Sequence, residues 1–310
     1  MKAKFCGEKM KYIERVDYNK VITVKLVLPG GCNAHCSFCY MKDYKEVVTG
    51  TKEEFLRNYL DSLEHILNEI GDKNPVSLDI TGNEPTFDSD FLKIILKQLK
   101  EFDIQKKVQR VTITTNGSRL KEVIPYFKDV INYVNISVHD YDLYERQKIM
   151  GFKTFTDQEY IDLIRELNNI GITASAVAVI HKPITNFKDW FNDFVDWCKK
   201  LGFIALRLRC DVFWNRKDLF DEYMIYGLEH KDYSVINHEA TPDSHWCRLR
   251  RFDKFRVFFL HGVVDTSFWT KGIEYVIEDD GICYCDFYKN VKLDDYQYEV
   301  GKIYDLDVRI

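Results

Sequence analysis

From Val21 onward, short β-branched and apolar runs alternate with longer stretches of helical periodicity, a pattern typical of repeated βα units. Five helical stretches separate the predicted strands. The strands are predicted at residues 21–28, 76–81, 111–115, 134–138, 172–180 and 204–210. The sequence therefore predicts an α/β fold of six successive βα units.

The ends of the predicted helices carry their own signals. Thr51 with Glu54, and Thr156 with Glu159, have the spacing of capping boxes at helix N-termini. Glycines stand where C-terminal caps belong, at Gly71, Gly171 and Gly202. The helix boundaries thus follow from side-chain chemistry as well as from periodicity.

Several predicted strands alternate apolar with polar residues, which is unusual for a parallel sheet covered on both faces. In the second strand, for example, the apolar positions are Val76, Leu78 and Ile80. The polar positions of the second, fourth and sixth strands are Ser77, Asp79, Thr81, Asn135, Ser137, His139, Arg207 and Arg209. This pattern predicts a partial (β/α)6 barrel with helices outside and a polar interior.

The pattern also predicts three regions along the chain. Residues 1–20 form an N-terminal segment, residues 21–210 the partial barrel, and residues 211–310 a β-containing C-terminal extension. Within the extension, residues 211–246 are mixed and polar, and strands are predicted only at 255–264 and 273–277. The extension is expected to serve as a substrate cap or as a region for an auxiliary cluster.

Composition narrows the class of protein. A formal net charge of -5 argues against a nucleic-acid binder, since nonspecific affinity for nucleic acid comes from clustered Lys and Arg. The sequence has no apolar run of signal-peptide or membrane-spanning length, so we expect a cytoplasmic protein without a membrane partner. Nine cysteines in such a chain are better explained as metal ligands or buried thiols than as disulfides.

Cys32, Cys36 and Cys39 follow the first predicted strand with C-x3-C-x2-C spacing. Three thiolates on one loop can hold three irons of a 4Fe-4S cubane, whereas an ordinary electron-transfer cluster takes four. The fourth iron then stays open for a substrate or cofactor, as in catalytic metal sites. The alternative is a zinc site that adds His35 as its fourth ligand.

With the aromatic Phe38 before its third cysteine, this motif resembles the defining motif of radical S-adenosylmethionine (radical SAM) enzymes. The resemblance continues at residues 81–86, which are similar to the family's Gly-Gly-Glu-Pro motif through Gly82 and Glu84. Asn83 stands where the second Gly is usual, and Asn tolerates the left-handed conformations that Gly serves. The order of elements from residue 21 to 210 also fits the family.

The resemblance implies a cofactor-binding role for several residues. Glu84, within the Gly82–Asn83–Glu84 segment, would receive the amino group of S-adenosylmethionine (SAM), and Asn116 belongs to a Thr-Thr-Asn-Gly strand ending frequent in the family. Ser137 and His139 stand where the family commonly contacts the ribose. Ser137 and His139 are each, alone, equally well explained as satisfied polar residues of the core, and Asn116 as part of an ordinary Asn-Gly turn.

The resemblance also implies a reaction. An electron donor such as flavodoxin or ferredoxin would reduce the 4Fe-4S cluster, which would then cleave SAM to methionine and a 5'-deoxyadenosyl radical. That radical would abstract hydrogen from a substrate carbon. The protein's own task is to position the reactants and to exclude water and oxygen.

Basic residues in two places need separate explanations. Alternation points Arg207 and Arg209 inward, where one would bind the cofactor carboxylate or an acidic substrate group, or pair with an interior acid such as Asp79. A later basic run would dock an acidic peptide or a phosphate, or is only a solvated face. The run consists of Arg248, Arg250, Arg251, Lys254 and Arg256.

Cys247, Cys283 and Cys285 lie outside the first motif, and their region resembles a fragment of the SPASM/twitch extensions that hold auxiliary Fe-S clusters in peptide-modifying members. A second Fe-S cluster is one expectation for them, and a cap with buried free thiols is the other. The C-terminal resemblance favours a peptide substrate. The alternatives are a small-molecule or nucleotide-modifying enzyme, a glycyl-radical activase, and a non-enzymatic Fe-S scaffold.

Overall fold

The computed structural model describes residues 22–39, 51–70, 75–211, 214–241, 244–261, 274–277 and 283–284. The helices are α1 (Lys52–Ile70), α2 (Ser89–Glu101), α3 (Ile104–Lys107), α4 (Leu120–Val123), α5 (Leu143–Met150), α6 (Asp157–Asn169), α7 (Phe187–Leu201) and α8 (Lys217–Glu229). The strands are β1 (Ile22–Leu28), β2 (Val76–Gly82), β3 (Arg110–Thr115), β4 (Tyr133–Ser137), β5 (Thr173–Ile180), β6 (Ala205–Cys210), β7 (Tyr233–Thr241), β8 (Ser244–Arg251), β9 (Arg256–His261), β10 (Glu274–Ile277) and β11 (Cys283–Tyr284). The six predicted strands of the barrel are all present, with ends that differ by one residue.

Both predicted capping boxes form. At α1, Thr51 and Glu54 exchange backbone-to-side-chain hydrogen bonds of 2.9 and 3.2 Å, and the same reciprocal pair joins Thr156 and Glu159 at α6. Gly171 and Gly202 have φ values of 80° and 95° after α6 and α7, as their predicted capping roles require. Gly71 lies outside the described residues.

The chain divides into two compact units that do not follow chain order. The first comprises Met1–Gly31, Lys45–Thr112 and Thr266–Ile310, and the second comprises Cys32–Tyr44 and Ile113–Asp265. This division differs from the three consecutive regions expected from the sequence. The predicted domain limits therefore stay a prediction.

In the first unit, β1 and β2 pair in parallel, in register from Ile22 with Val76 to Leu28 with Gly82. On its other side β1 pairs in parallel with β10, and β11 is antiparallel to β10. One side of α1 is apolar and buried. Its buried residues are Phe55, Tyr59, Leu63, Ile66 and Leu67.

In the second unit, β4, β5 and β6 pair in parallel. One face of these strands is apolar and fully buried, and it is contacted by α6 and α7. Its residues include Val134, Ile136, Ala174, Ala176, Leu206 and Leu208. Parallel strands with helices on this face confirm the predicted partial barrel.

The opposite face of the same strands is polar and hydrogen-bonded from strand to strand. The Asn135 amide donates to Thr114 Oγ1 at 3.2 Å and accepts from the Ser175 hydroxyl at 2.8 Å. Arg207 Nε in turn donates to Ser175 Oγ at 3.2 Å. Because these buried polar groups satisfy one another, the sheet supports a polar interior without leaving them unpaired.

The region after β6 is more regular than its sequence indicated. Residues 211–246, for which no element was predicted, contain α8, β7 and the start of β8. β9 pairs in parallel with β6, and β8 and β7 follow it as antiparallel neighbours. The predicted β content of the C-terminal region is confirmed, and its first part extends the sheet of the second unit.

The capping box of α6 yields a stability prediction. Thr156→Ala should lower the free energy of unfolding by about 1 kcal/mol, because the Glu159 backbone N–H loses its acceptor and the Glu159 carboxylate loses a donor. Urea unfolding followed by circular dichroism would measure the loss. Thr185→Ala, at an exposed turn residue before α7, is the matched control, and equal stability of the two variants would contradict the prediction.

Candidate iron-sulfur and cofactor site

The three cysteines of the motif lie on the loop that follows β1. All three are partly exposed free thiols, and the Cys39 backbone N–H donates to the Cys36 carbonyl at 3.1 Å. The loop is also fixed at His35, whose backbone N–H donates to Met150 O at 2.8 Å. A short, anchored loop thus presents three thiols within the second unit.

The electrostatics of these thiols fit an iron cluster. Burial first, and then the neighbouring Cys39 and Cys32, raise the pKa of Cys36 to about 12. Repulsion among three thiolates is relieved when cationic irons bind them. The donor set and its local crowding therefore suit three irons of a cubane.

Among the residues that the structure describes, no three His, Cys, Asp or Glu side chains are grouped so as to hold one metal ion.

A polar network at the end of β3 supports Cys32. The Asn116 amide donates to Asn33 Oδ1 at 2.9 Å and lies 3.7 Å from Cys32 Sγ, which also accepts the Ala34 backbone N–H at 3.3 Å. The Ser118 hydroxyl donates to Asn33 Oδ1 at 3.2 Å. The sequence analysis identified Asn116 as a candidate but missed Asn33 and Ser118. The available signals were the position of Asn33 inside the cysteine motif and the position of Ser118 in the turn after Asn116.

Phe38 contacts two histidines of the second unit. Its ring centroid lies 4.9 Å from that of His139 and 4.7 Å from that of His181. His139 Nδ1 accepts the Val179 backbone N–H at 3.2 Å. Burial, with a smaller contribution from His181, lowers the pKa of His139 to about 3, so the ring stays neutral.

In the first unit, the segment after β2 has a geometry that its sequence explains. Gly82 has a φ of 140°, and a Cβ there would lie 2.7 Å from the Leu28 carbonyl oxygen of the paired strand. Only glycine fits this position.

Asn83 is not left-handed, so the expectation that it substitutes for glycine in that conformation is wrong. Instead its amide donates to the Gly30 carbonyl at 2.9 Å.

Glu84 is 5% exposed and held by its own loop. Its Oε1 atom accepts the Thr86 backbone N–H at 2.9 Å and the Thr86 hydroxyl at 2.7 Å. Two donors on one oxygen fix the orientation of the carboxylate. A carboxylate held in one orientation is a suitable partner for an ammonium group.

Three further candidate residues lie on the polar face of the second unit. Ser137 is half-buried at the end of β4, Arg207 bonds Ser175, and Arg209 is exposed at the end of β6. Strand alternation brings them to one face, as the sequence predicted. Their roles toward a ligand stay predictions.

The C-terminal cysteines are only partly described. Cys247 is fully buried in β8, and burial raises its pKa to about 12. Cys283 lies in β11, opposite Ile277, and Cys285 lies outside the described residues. The auxiliary cluster expected from these residues stays a prediction.

No helix in the described part of the chain is long and apolar enough to cross a membrane.

Comparison with known proteins identifies relatives of the chain. A sequence model of the radical SAM superfamily matches residues 26–198, which is more than half of the chain. GTP 3',8-cyclase of Vibrio atlanticus is 24% identical over 237 residues, covering 75% of this chain and 66% of that protein. GTP 3',8-cyclase of Mannheimia succiniciproducens is 28% identical over 212 residues, covering 66% and 60%. The chain thus spans less than two thirds of the length of these relatives.

A solved structure supports the fold. The chain resembles Streptococcus suis SuiB, crystallised with its precursor peptide SuiA, with a TM-score of 0.57 and 16% identity. The match covers 93% of this chain and 65% of that one. At this identity the likeness establishes the fold alone.

The neutral, buried His139 makes stability depend on pH. Its folded-state pKa lies below the unfolded value of 6.5, so below that value the unfolded chain binds a proton that the folded chain does not. Lowering the pH from 7 to 5 should cost about 2 kcal/mol of unfolding free energy through this residue. Urea unfolding of the wild type at both pH values would measure the cost.

His139→Asn is the matched variant, because Asn tolerates the φ of 63° at this position and does not titrate. Its stability should fall less between the same two pH values. An equal fall in wild type and variant would show that His139 is not the neutral group.

Proposed function

Because the chain belongs to the radical SAM superfamily, we propose that it reductively cleaves SAM and abstracts hydrogen from a nucleotide substrate. The observation that carries the first step is the anchored loop on which Cys32, Cys36 and Cys39 lie as partly exposed thiols. The cofactors of this superfamily are a 4Fe-4S cluster and SAM. The chain is accordingly an enzyme.

The cysteines would hold three irons of the cluster, and Asn116 and the Ala34 backbone N–H would donate hydrogen bonds toward Cys32 Sγ. When bound, the reduced cluster supplies the electron that splits SAM into methionine and a 5'-deoxyadenosyl radical. N–H groups directed at a cluster sulfur stabilise its reduced form. These N–H groups thus tune the reduction potential of the cluster.

We assign the binding of SAM to the residues that the family motifs indicate. The fixed Glu84 carboxylate receives the ammonium group of SAM, and Gly82 with Asn83 shapes the backbone beside it. Ser137 and His139 contact the ribose. Phe38 packs against His139 beside the cysteines. Arg207 and Arg209 stay candidates for a carboxylate or for a substrate anion.

A nucleotide is favoured over a peptide as the substrate by the relatives. Both curated relatives described above are GTP 3',8-cyclases, and their matches extend over 66–75% of this chain. The peptide-bound SuiB is a likeness of fold and does not bear on the substrate. An activase role has no supporting observation among the described residues.

Turnover requires an external reductant, because radical SAM chemistry consumes electrons that the chain does not supply. We propose a small electron-transfer protein such as flavodoxin or ferredoxin as this partner. A turnover assay with purified flavodoxin and ferredoxin would identify the donor.

The proposed reaction predicts a product that can be measured without knowing the substrate. Anaerobically reconstituted wild type should bind about four irons and, with dithionite and SAM, release 5'-deoxyadenosine slowly. Cys36→Ala should lose both, because it removes an iron ligand. Iron analysis and chromatographic detection of 5'-deoxyadenosine provide the two measurements.

Cys198→Ala serves as the control, since Cys198 is a buried thiol of α7 in the same unit. It should keep the iron and the product. Full iron content in Cys36→Ala, or no 5'-deoxyadenosine from well-loaded wild type, would overturn the proposal. Iron well above four per chain would instead indicate an auxiliary cluster.

The assignment of Glu84 predicts a defect in binding only. Glu84→Gln should weaken SAM binding by about 2 to 5 kcal/mol, roughly 30-fold to several thousand-fold, because the ammonium loses its charged partner. Iron content should stay at the wild-type value. Anaerobic isothermal titration would measure the affinity, with the exposed Glu101→Gln as the matched control. Unchanged affinity in Glu84→Gln would place the ammonium elsewhere.

A further inference from the structure

Arg146 of α5 is fully buried, at 0% exposure, although a guanidinium group loses its hydration there and is seldom buried without partners. Its guanidinium carbon lies 4.7 Å from the centre of the Trp197 ring and 5.6 Å from that of Tyr160. The Asp157 carboxylate lies 3.5 Å from Nη2, and Nε has no hydrogen-bond partner. One long ion pair and two ring contacts leave most of the terminal N–H groups for other partners.

Those partners are backbone carbonyls. Nη1 of Arg146 donates to the carbonyl of Tyr141 and lies 3.4 Å from that of Asp140, and Nη2 lies 3.5 Å from that of Phe155. Asp140 and Tyr141 directly follow His139 in the sequence. Hydrogen bonds from a charged donor are stronger than neutral ones. Arg146 therefore holds the turn that connects β4 to α5.

That turn contains a strained residue. His139 has a φ of 63°, in the left-handed region that residues other than glycine seldom adopt, at a cost of about 1 kcal/mol or more. Its neighbour Asp140 accepts the Asp142 backbone N–H at 2.9 Å and the Trp190 indole N–H at 3.1 Å. Strained residues persist where the surrounding structure fixes them. Arg146 is part of that surrounding structure, on the C-terminal side of His139.

The same turn and helix adjoin the cysteine loop. The His139 ring centroid lies 4.9 Å from that of Phe38, within the cysteine motif. At the end of α5, the Met150 carbonyl accepts the His35 backbone N–H at 2.8 Å. Arg146 thus lies on a helix that begins beside His139 and ends against the loop of the cysteines, all within the second unit.

We infer that Arg146 is a positioning residue, which holds the His139 ring in the orientation that contacts the ribose of SAM. It acts through the backbone carbonyls after His139 and does not itself touch the cofactor. The alternative is a purely structural role, in which Arg146 only joins α5 to α6 and α7. The inference rests on the proposed binding of SAM and names a residue that no sequence motif indicated.

A double-mutant cycle with His139→Asn separates the two roles. Arg146→Lys keeps the buried charge but loses the forked donors. In anaerobic isothermal titration of the reconstituted full chain it should weaken SAM binding by roughly 10-fold, the order expected for loss of a charge-assisted hydrogen bond. In the His139→Asn background the same change should alter the affinity by less than about 2-fold, because the ring through which Arg146 acts is already absent.

Arg165→Lys, at an exposed arginine of α6 in the same unit, is the matched control and should keep the wild-type affinity. Melting temperature and iron content are measured for every variant, so that affinities are compared in folded samples with equal iron. If Arg146→Lys melts early, Arg146→Met replaces it in the cycle, because an apolar side chain of similar length is tolerated better in a buried site than an unpaired ammonium.

Wild-type affinity in Arg146→Lys would overturn the inference. So would an equal loss of affinity in both backgrounds, because a purely structural role does not depend on residue 139. The proposed function is tested separately by release of 5'-deoxyadenosine. Release together with an additive cycle sinks the inference alone, and a non-additive cycle without release sinks the function alone.

Discussion

The two-residue alternation of the strands is the constraint on which the second unit depends. It directs Val134, Ala176 and Leu206 to a buried apolar face under helices and leaves the other face for groups that bond one another. A slip of one residue in β6, for example, would exchange its two faces and bury Arg207 among apolar side chains. The hydrogen bonds between Asn135 and Ser175, and between Ser175 and Arg207, oppose such a slip. Packing and polar chemistry thus specify the same register.

Local sequence signals predicted the elements well where the chemistry is local. The barrel strands and both capping boxes follow from short patterns, and their ends differ from the prediction by one residue. α8, β7 and β8 were missed. β7 contains a register shift between Val235 and Asn237, which breaks the alternation that identifies a strand. The pairing of β9 with β6 could not be predicted at all, because no short pattern encodes a partner so distant in sequence.

The candidate site shows the same division between local and distant information. The three cysteines were predicted from their spacing, and Glu84 from a contiguous segment that resembles a family motif. The hydrogen bond from Asn116 to Asn33, which joins segments far apart in the chain, required the structure. Asn83 is the instructive case, because its residue type was noticed but explained by backbone conformation. Its side-chain bond to the Gly30 carbonyl gives the departure from the family motif a different physical reason.

Net charge is a poor guide to what one face of a protein binds. The chain carries -5 overall, which argued against polyanionic partners as a class. Yet β6, β8 and β9 collect arginines on one face, while acids such as Asp196 and Asp253 pair with Arg251 on the other side. The field at a site depends on charges within about one Debye length, not on the sum over the whole chain. The sum of charges over the whole chain therefore does not determine which ions such a face attracts.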